Sequence, residues 1–174
     1  MNLALIGLAT VAAIVAYVAF PRSKNMTALK RAESFLHVRE DSKTPNRGTE
    51  IDGWMAAFPG LEGQAWCAAF ATAMANLKRR AAVWQIVEDA RAAGKLHLGS
   101  DAPIGALCIF GRAGQNPLKP NQMGHATFLQ ADAGNGEAWF VGGNQGPDRD
   151  DTDKREGVTR QRRKRADILA WVEV

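Results

Sequence analysis

The longest apolar stretch lies at the start of the chain, where Leu3 to Phe20 is 18 residues without a charge, followed by Pro21, Arg22, Ser23 and Lys24. A helix of that length reaches ~27 Å, enough to cross the hydrocarbon core of a bilayer. A cleaved signal peptide is the alternative. Against it, no Lys or Arg precedes the stretch, the apolar run exceeds the usual signal core, and Ala16-Tyr17-Val18-Ala19 breaks the small-x-small cleavage rule. The pattern predicts one transmembrane helix with a basic flank over residues 1–24, ahead of a single domain over residues 25–174.

Beyond the flank the apolar period becomes helical. Thr27 precedes Ala28, Leu29, Ala32, Phe35 and Leu36, with charges on the other side, which predicts a first helix. Arg39 to Thr49 is polar and carries Pro45, Asn46 and Gly48, a loop, and Glu50 to Phe58 reads as a short helical turn ended by Pro59 and Gly60. Ala65 to Leu77 is rich in Ala, Met and Phe, as in a helix packed on several sides, and places Cys67 in its first turn. Ala81 to Ala93 is amphipathic, with Gly94 at its C-terminal end.

After Gly99 the period changes. Ile104 to Phe110, His125 to Gln130, Glu137 to Val141, Val158 to Gln161 and Ile168 to Val174 are short, partly β-branched runs separated by Gly, Pro, Asn and Asp. Helices first and strands later predict an α+β domain, its N-terminal helices packed on an antiparallel sheet and preceded by the membrane helix.

Composition is that of an ordinary globular chain: 174 residues, 46% hydrophobic and 23% charged, which argues against wholesale disorder. Two cysteines without a CxxC pair exclude a disulfide framework and a structural zinc site. The net charge of +4 is local. Lys154 to Arg165 holds seven basic residues and one acid, leaving the rest of the chain at −2. That run reads as a solvated edge strand and turn, so a nucleic-acid partner is not expected, and its alternative is a grip on an anionic polymer. Asp148 to Asp153 imitates a calcium loop but has Asp153 where an EF-hand needs Gly and Thr159 where it needs Glu, so no metal is assigned.

Candidate chemistry centres on Cys67, because the N-terminus of a helix supplies positive potential that favours a thiolate. Such a nucleophile needs an imidazole to take and return a proton, and a polar group to orient the ring. His37 falls in the charged tail of the first helix and His97 in a polar turn, both surface positions. His125 follows Gly124 and leads the apolar run Ala126-Thr127-Phe128-Leu129, the best place for a base. Gly142-Gly143-Asn144-Gln145 ends a strand with two residues that permit close backbone approach, and makes Asn144 the candidate orienting group. Cys108, inside Ala106-Leu107-Cys108-Ile109-Phe110, reads as a buried strand residue. A disulfide between the two cysteines would remove the nucleophile.

Taken in order, Glu40, Asn46-x-Gly48, Glu50-Ile51, Trp66-Cys67-Ala68-Ala69-Phe70, Pro103-Ile104-Gly105, Gly124-His125 and Gly142-Gly143-Asn144-Gln145 resemble the CHAP superfamily, the cysteine, histidine-dependent amidohydrolases/peptidases of bacterial and phage cell-wall hydrolases. The likeness runs from about Met26 to the C-terminus and ends on Asp167-Ile168-Leu169-Ala170-Trp171 as a closing strand. It implies a papain-like fold, Cys67 as nucleophile, His125 as general base and acid, Asn144 as ring-orienting residue, an amide bond of peptidoglycan as substrate, and no cofactor. The chain departs from many relatives at Gly142, where they carry an acid, at Ala106, where they carry Asp, and at His37, where Gly is common. Glu40 and Trp66 are candidates to shape the cleft.

The resulting expectation is a membrane-anchored peptidoglycan amidase or endopeptidase, bacterial or phage, its domain facing the cell wall or carried in a virion membrane. Arg22, Lys24, Lys30 and Arg31 after the span would instead hold the domain in the cytoplasm by the positive-inside rule. Two rivals remain open: an acyl transferase using the same thioester, and a tethered binding or virion structural protein that grips an anionic polymer through Arg160 to Arg165 without catalysis.

Overall fold

A computed structural model describes residues 24–148 and 152–174. In chain order its helices are α1 (Lys24–Glu33), α2 (Thr49–Met55), α3 (Cys67–Met74) and α4 (Val83–Ala92). Its strands are β1 (Leu96–Leu98), β2 (Leu107–Gly111), β3 (Gly124–Gly134), β4 (Glu137–Gln145), β5 (Gly157–Lys164) and β6 (Ala170–Val172). The strands form one antiparallel sheet in the order β1-β6-β2-β3-β4-β5, with helices packed on it, so the class is α+β.

Each helix is cut by local chemistry. α1 buries Ala28, Leu29 and Ala32, and Phe35 and Leu36, which its apolar period would include, lie in the turn that follows. α3 is buried almost all round, because its small residues let sheet and helices approach from opposite sides. It stops short of Leu77 because Asn76 takes the left-handed conformation, φ 53°. α4 ends at Gly94, φ 67°, the glycine at the end of its amphipathic run.

The sheet separates two apolar layers. Leu107, Ile109, Ala126, Phe128, Val141 and Val172 face the helices, and Trp54, Trp66 and Phe70 pack beneath them, Trp54 stacked on Trp66 and Phe70 edge-on to both, with ring centroids 4.9 to 6.1 Å apart. Burying an aromatic or large aliphatic side chain contributes about 1.5–3 kcal/mol. Cys108, Phe110, Leu129, Ala138 and Phe140 form the layer on the other face, closed by Ala102 and Ile168. Cys108 and Cys67 thus belong to opposite faces, and both are free thiols.

Several expectations change. β3 and β4 run past the apolar segment into a hairpin turned by Asn135 and Gly136, φ 52° and 76°, the Asn-Gly pair that a two-residue turn favours. Residues 131–134 are polar or small, so no apolar alternation announces them. His97 is in strand β1, paired with Trp171 and stacked on its ring at 3.9 Å, rather than in a turn.

The single-pass membrane location is corrected. Among the described residues no helix is long and apolar enough to cross a membrane. The apolar stretch Leu3 to Phe20, on which the transmembrane helix over residues 1–24 rested, lies outside the described residues.

Candidate functional site

Cys67 is the first residue of α3. Its sulfur lies against the start of β3, 3.9 Å from the carbonyl oxygen of Gly124. It lines a groove of about 430 Å³ together with Trp84, Arg112, Gln122 and Met123. Burial pushes the thiol above its ordinary value. The Arg112 charge and the N–H groups of Ala126, Ala68 and Cys67 pull the other way without overcoming it. In this arrangement the sulfur carries its proton at neutral pH.

His125 is buried, and the register pairs it with Phe110, which belongs to the layer on the far face of the sheet. Because side chains alternate along a strand, His125 leaves β3 on the face opposite Ala126 and Cys67. No hydrogen bond joins the Cys67 sulfur to the imidazole among the described residues. The ring Nε2 lies 2.9 Å from Oε1 of Gln145, and the Gln145 amide nitrogen donates to the carbonyl of Thr159 at 2.7 Å. That second bond turns the Gln145 oxygen toward the ring, so Nε2 donates and Nδ1 retains its lone pair. Burial, and after it the charge of Arg163, hold the ring down to about 3, against an ordinary value of 6.5.

Asn144 makes no side-chain hydrogen bond to the His125 ring among the described residues. It takes φ 54°, and the β4–β5 register shifts between Gly142 and Gln145. Its Oδ1 accepts the N–H of Trp66 at 3.2 Å, which fastens β4 to the residue before Cys67. Its Nδ2 lies 3.2 Å from Oε1 of Glu40, 2.9 Å from Oδ1 of Asn46 and 3.1 Å from Oε2 of Glu156. The next residue, Gln145, is the one that reaches His125. A Cβ at Gly143 would run into the Trp66 indole and a Cβ at Gly142 into Thr127, so the two glycines let this segment press against both faces.

Glu40 is the hub of the near side. Its buried carboxylate accepts from Trp66 Nε1 at 2.9 Å and from the backbone N–H of Asn46 at 2.8 Å, in addition to Asn144. The string Trp66-Cys67 is thereby tied through Glu40 to the loop before α2. Sequence reasoning singled out Glu40 and Trp66 for the cleft, gave no role to Gln145 or Arg112, and read Arg163 only as part of the basic run. Gln145 stands in the quoted Gly-Gly-Asn-Gln string, yet only the conformation of Asn144 decides which of the two amides meets the ring.

The basic run forms edge strand β5, and much of it is engaged internally. Arg162 pairs with Asp148 at 3.0 Å and lies over the Trp139 ring. Arg165 pairs with Asp132, and Arg163 lies over the Phe110 ring. Arg160 and Lys164 are exposed.

Geometry and fold thus describe an α+β protein with a thiol at a helix N-terminus on a groove. No family model, curated protein or solved structure matches the chain.

Proposed function

We propose that the chain is a cysteine-dependent hydrolase of papain-like architecture that cleaves an amide bond of peptidoglycan, with Cys67 as nucleophile and His125 as proton carrier. The observation that carries this reading is the position of Cys67, at the first turn of α3 on the wall of a groove beside Arg112. The substrate class rests on the likeness of the Trp-Cys-Ala-x-Phe and Gly-Gly-Asn-Gln strings to cell-wall hydrolases.

The chemistry proceeds from a resting state in which the thiol is protonated and the imidazole is neutral. His125 Nδ1 takes the thiol proton and the sulfur attacks the amide carbonyl, with the Cys67 N–H as one donor to the oxyanion. The imidazolium then protonates the departing amine, leaving a thioester that water, deprotonated by the same ring, hydrolyses. Gln145, rather than Asn144, is the ring-orienting group in this reading.

The resting arrangement keeps the two groups on opposite faces of β3, so turnover requires the start of that strand to rearrange. β3 pairs with β4 only from Phe128 and Val141 onward. Gly124 and His125 are therefore held by β2 on one side, through Gly111 and Phe110. A segment with fewer ladder bonds opens at lower cost than the rest of the sheet.

The test is mass spectrometry of muropeptides released from cell walls by the chain, by Cys67→Ala and by His125→Ala. Loss of release in both variants, with far-UV circular dichroism unchanged, is the expected result. Full release by both would overturn the reading. An added amine acceptor appearing in the product would assign acyl transfer instead of hydrolysis.

A further inference from the structure

Sharing Arg112 with the Cys67 groove is a second, smaller cavity of about 150 Å³, bounded by Arg112, His125, Asn144, Gln145, Glu156 and Arg163. Two guanidinium groups border this space. Arg163 projects from β5 with its Cζ 5.2 Å from the Phe110 ring centroid. Among the described residues its Nε is buried with no hydrogen-bond partner, in contrast to Arg162 and Arg165, which are ion-paired. Arg112 spends only a long 3.4 Å bond on Asn144 Oδ1. A guanidinium has five N–H donors and stays protonated throughout the ordinary pH range, so both have donors to spare. Two half-buried cations bordering one space repel each other unless an anion joins them.

Size and charge select the anion. A water occupies roughly 30 Å³ of liquid, so the cavity accommodates a carboxylate with a small side chain and excludes a polymer strand. The Glu156 carboxylate, which accepts from Asn144, sits at the same cavity and disfavours a doubly charged group. A planar carboxylate with a single charge matches the fork of an arginine in two parallel bonds.

We propose that the Arg112–Arg163 cavity is a carboxylate subsite, which takes the free carboxylate of a peptide whose scissile amide lies over Cys67. The substrate half of this inference rests on the proposed hydrolase, since Arg112 alone borders both spaces. The peptide is then an acid with a small terminal residue, and its neutral amide analogue is a poor ligand.

The experiment uses the full chain carrying Cys67→Ala, which binds without turnover, titrated with N-acetyl-D-alanyl-D-alanine, its C-terminal amide, acetate and inorganic phosphate. The His125 ring resonances, at the cavity wall, report occupancy. The acid is expected to shift the ring and to bind at least tenfold more tightly than the amide. Adding Arg163→Gln or Arg112→Gln to that chain is expected to weaken the acid at least tenfold. In the unliganded chain Arg163→Gln should keep or raise the melting temperature, because it removes a half-buried cation that has no ion pair among the described residues.

Equal affinity for acid and amide, or unchanged affinity in both arginine variants, would overturn the subsite. So would phosphate binding in preference to every carboxylate. Wall lysis by the unsubstituted chain is measured in parallel. Lysis without acid binding removes the subsite alone, and acid binding without lysis removes the hydrolase alone.

Discussion

The sulfur of Cys67 rests 3.9 Å from the carbonyl oxygen of Gly124, and the ring of the very next residue turns to the other face of the sheet. The start of β3 thus separates the two candidate groups, the Cys67 thiol of α3 on one side and the His125 ring on the other. Their protonation follows from separate surroundings, and each can be measured by itself.

For the thiol, burial raises the value above the ordinary 9.0 and Arg112 opposes it. Alkylation of Cys67 by iodoacetamide is therefore expected to be slow at neutral pH and to climb as pH passes 9. Arg112→Gln should slow it further, by roughly tenfold at a fixed pH, as expected for one charge acting through an effective dielectric of about 20. Cys108, pushed up to about 12 by burial, should label only on unfolding. Peptide mass spectrometry after a timed quench reads both, and rapid labelling of Cys67 at pH 7 would contradict the burial argument.

For the imidazole, a folded value of about 3 lies below the ordinary 6.5. On acidification the unfolded chain takes up a proton that the folded chain refuses. Stability from this group is thus complete above about pH 6.5 and lost progressively as pH falls toward about 3. Denaturant melts at pH 7 and pH 5 should show a fall that His125→Gln reduces. An NMR titration in which the His125 ring protonates near pH 6.5 in the folded chain would reverse this expectation.

Asn144→Ala separates two roles. If the side chain anchors α3 through the Trp66 N–H, the substitution leaves buried donors and acceptors unmatched and costs about 1–3 kcal/mol. The left-handed backbone at this residue adds to the loss. Thermal melting should fall clearly. An unchanged melting curve combined with a lower rate of wall cleavage would instead assign Asn144 to the ring.

Glu40→Ala should destabilise by a similar ~1–3 kcal/mol, because the Trp66 indole N–H and the Asn46 N–H lose their acceptor inside the protein. Glu40→Gln retains one oxygen and should fall between the two. The quantity to read is the urea midpoint, with Trp fluorescence as the probe. Equal midpoints for all three chains would show that the carboxylate is dispensable.

How much of this was legible beforehand differs by element. α1, α3 and α4 follow from apolar spacing, and the end of α4 from Gly94, whereas the end of α3 was placed at Leu77 and falls earlier, before Asn76. Strands β2 to β6 are foreshadowed by β-branched runs between turn residues. β1 was not, because three residues flanked by polar ones become a strand only by pairing with β6. Cys67 at the start of α3 follows from local pattern alone. That the Gln145 side chain, and not that of Asn144, lies against the His125 ring does not.

Local chemistry determined which segments become helices and which become most of the strands, where the thiol sits on its helix, and that the domain is α+β, since periodicity and turn residues act over a few neighbours. Tertiary packing alone decided which face of the sheet each polar group occupies. Side chains alternate every residue, and a single left-handed residue at Asn144, between Gly143 wedged under Trp66 and the amide held by Thr159, reverses that alternation. Contacts between residues 40, 66 and 144 or between 125 and 145 stabilise that reversal together, and no short stretch of sequence carries such a joint constraint.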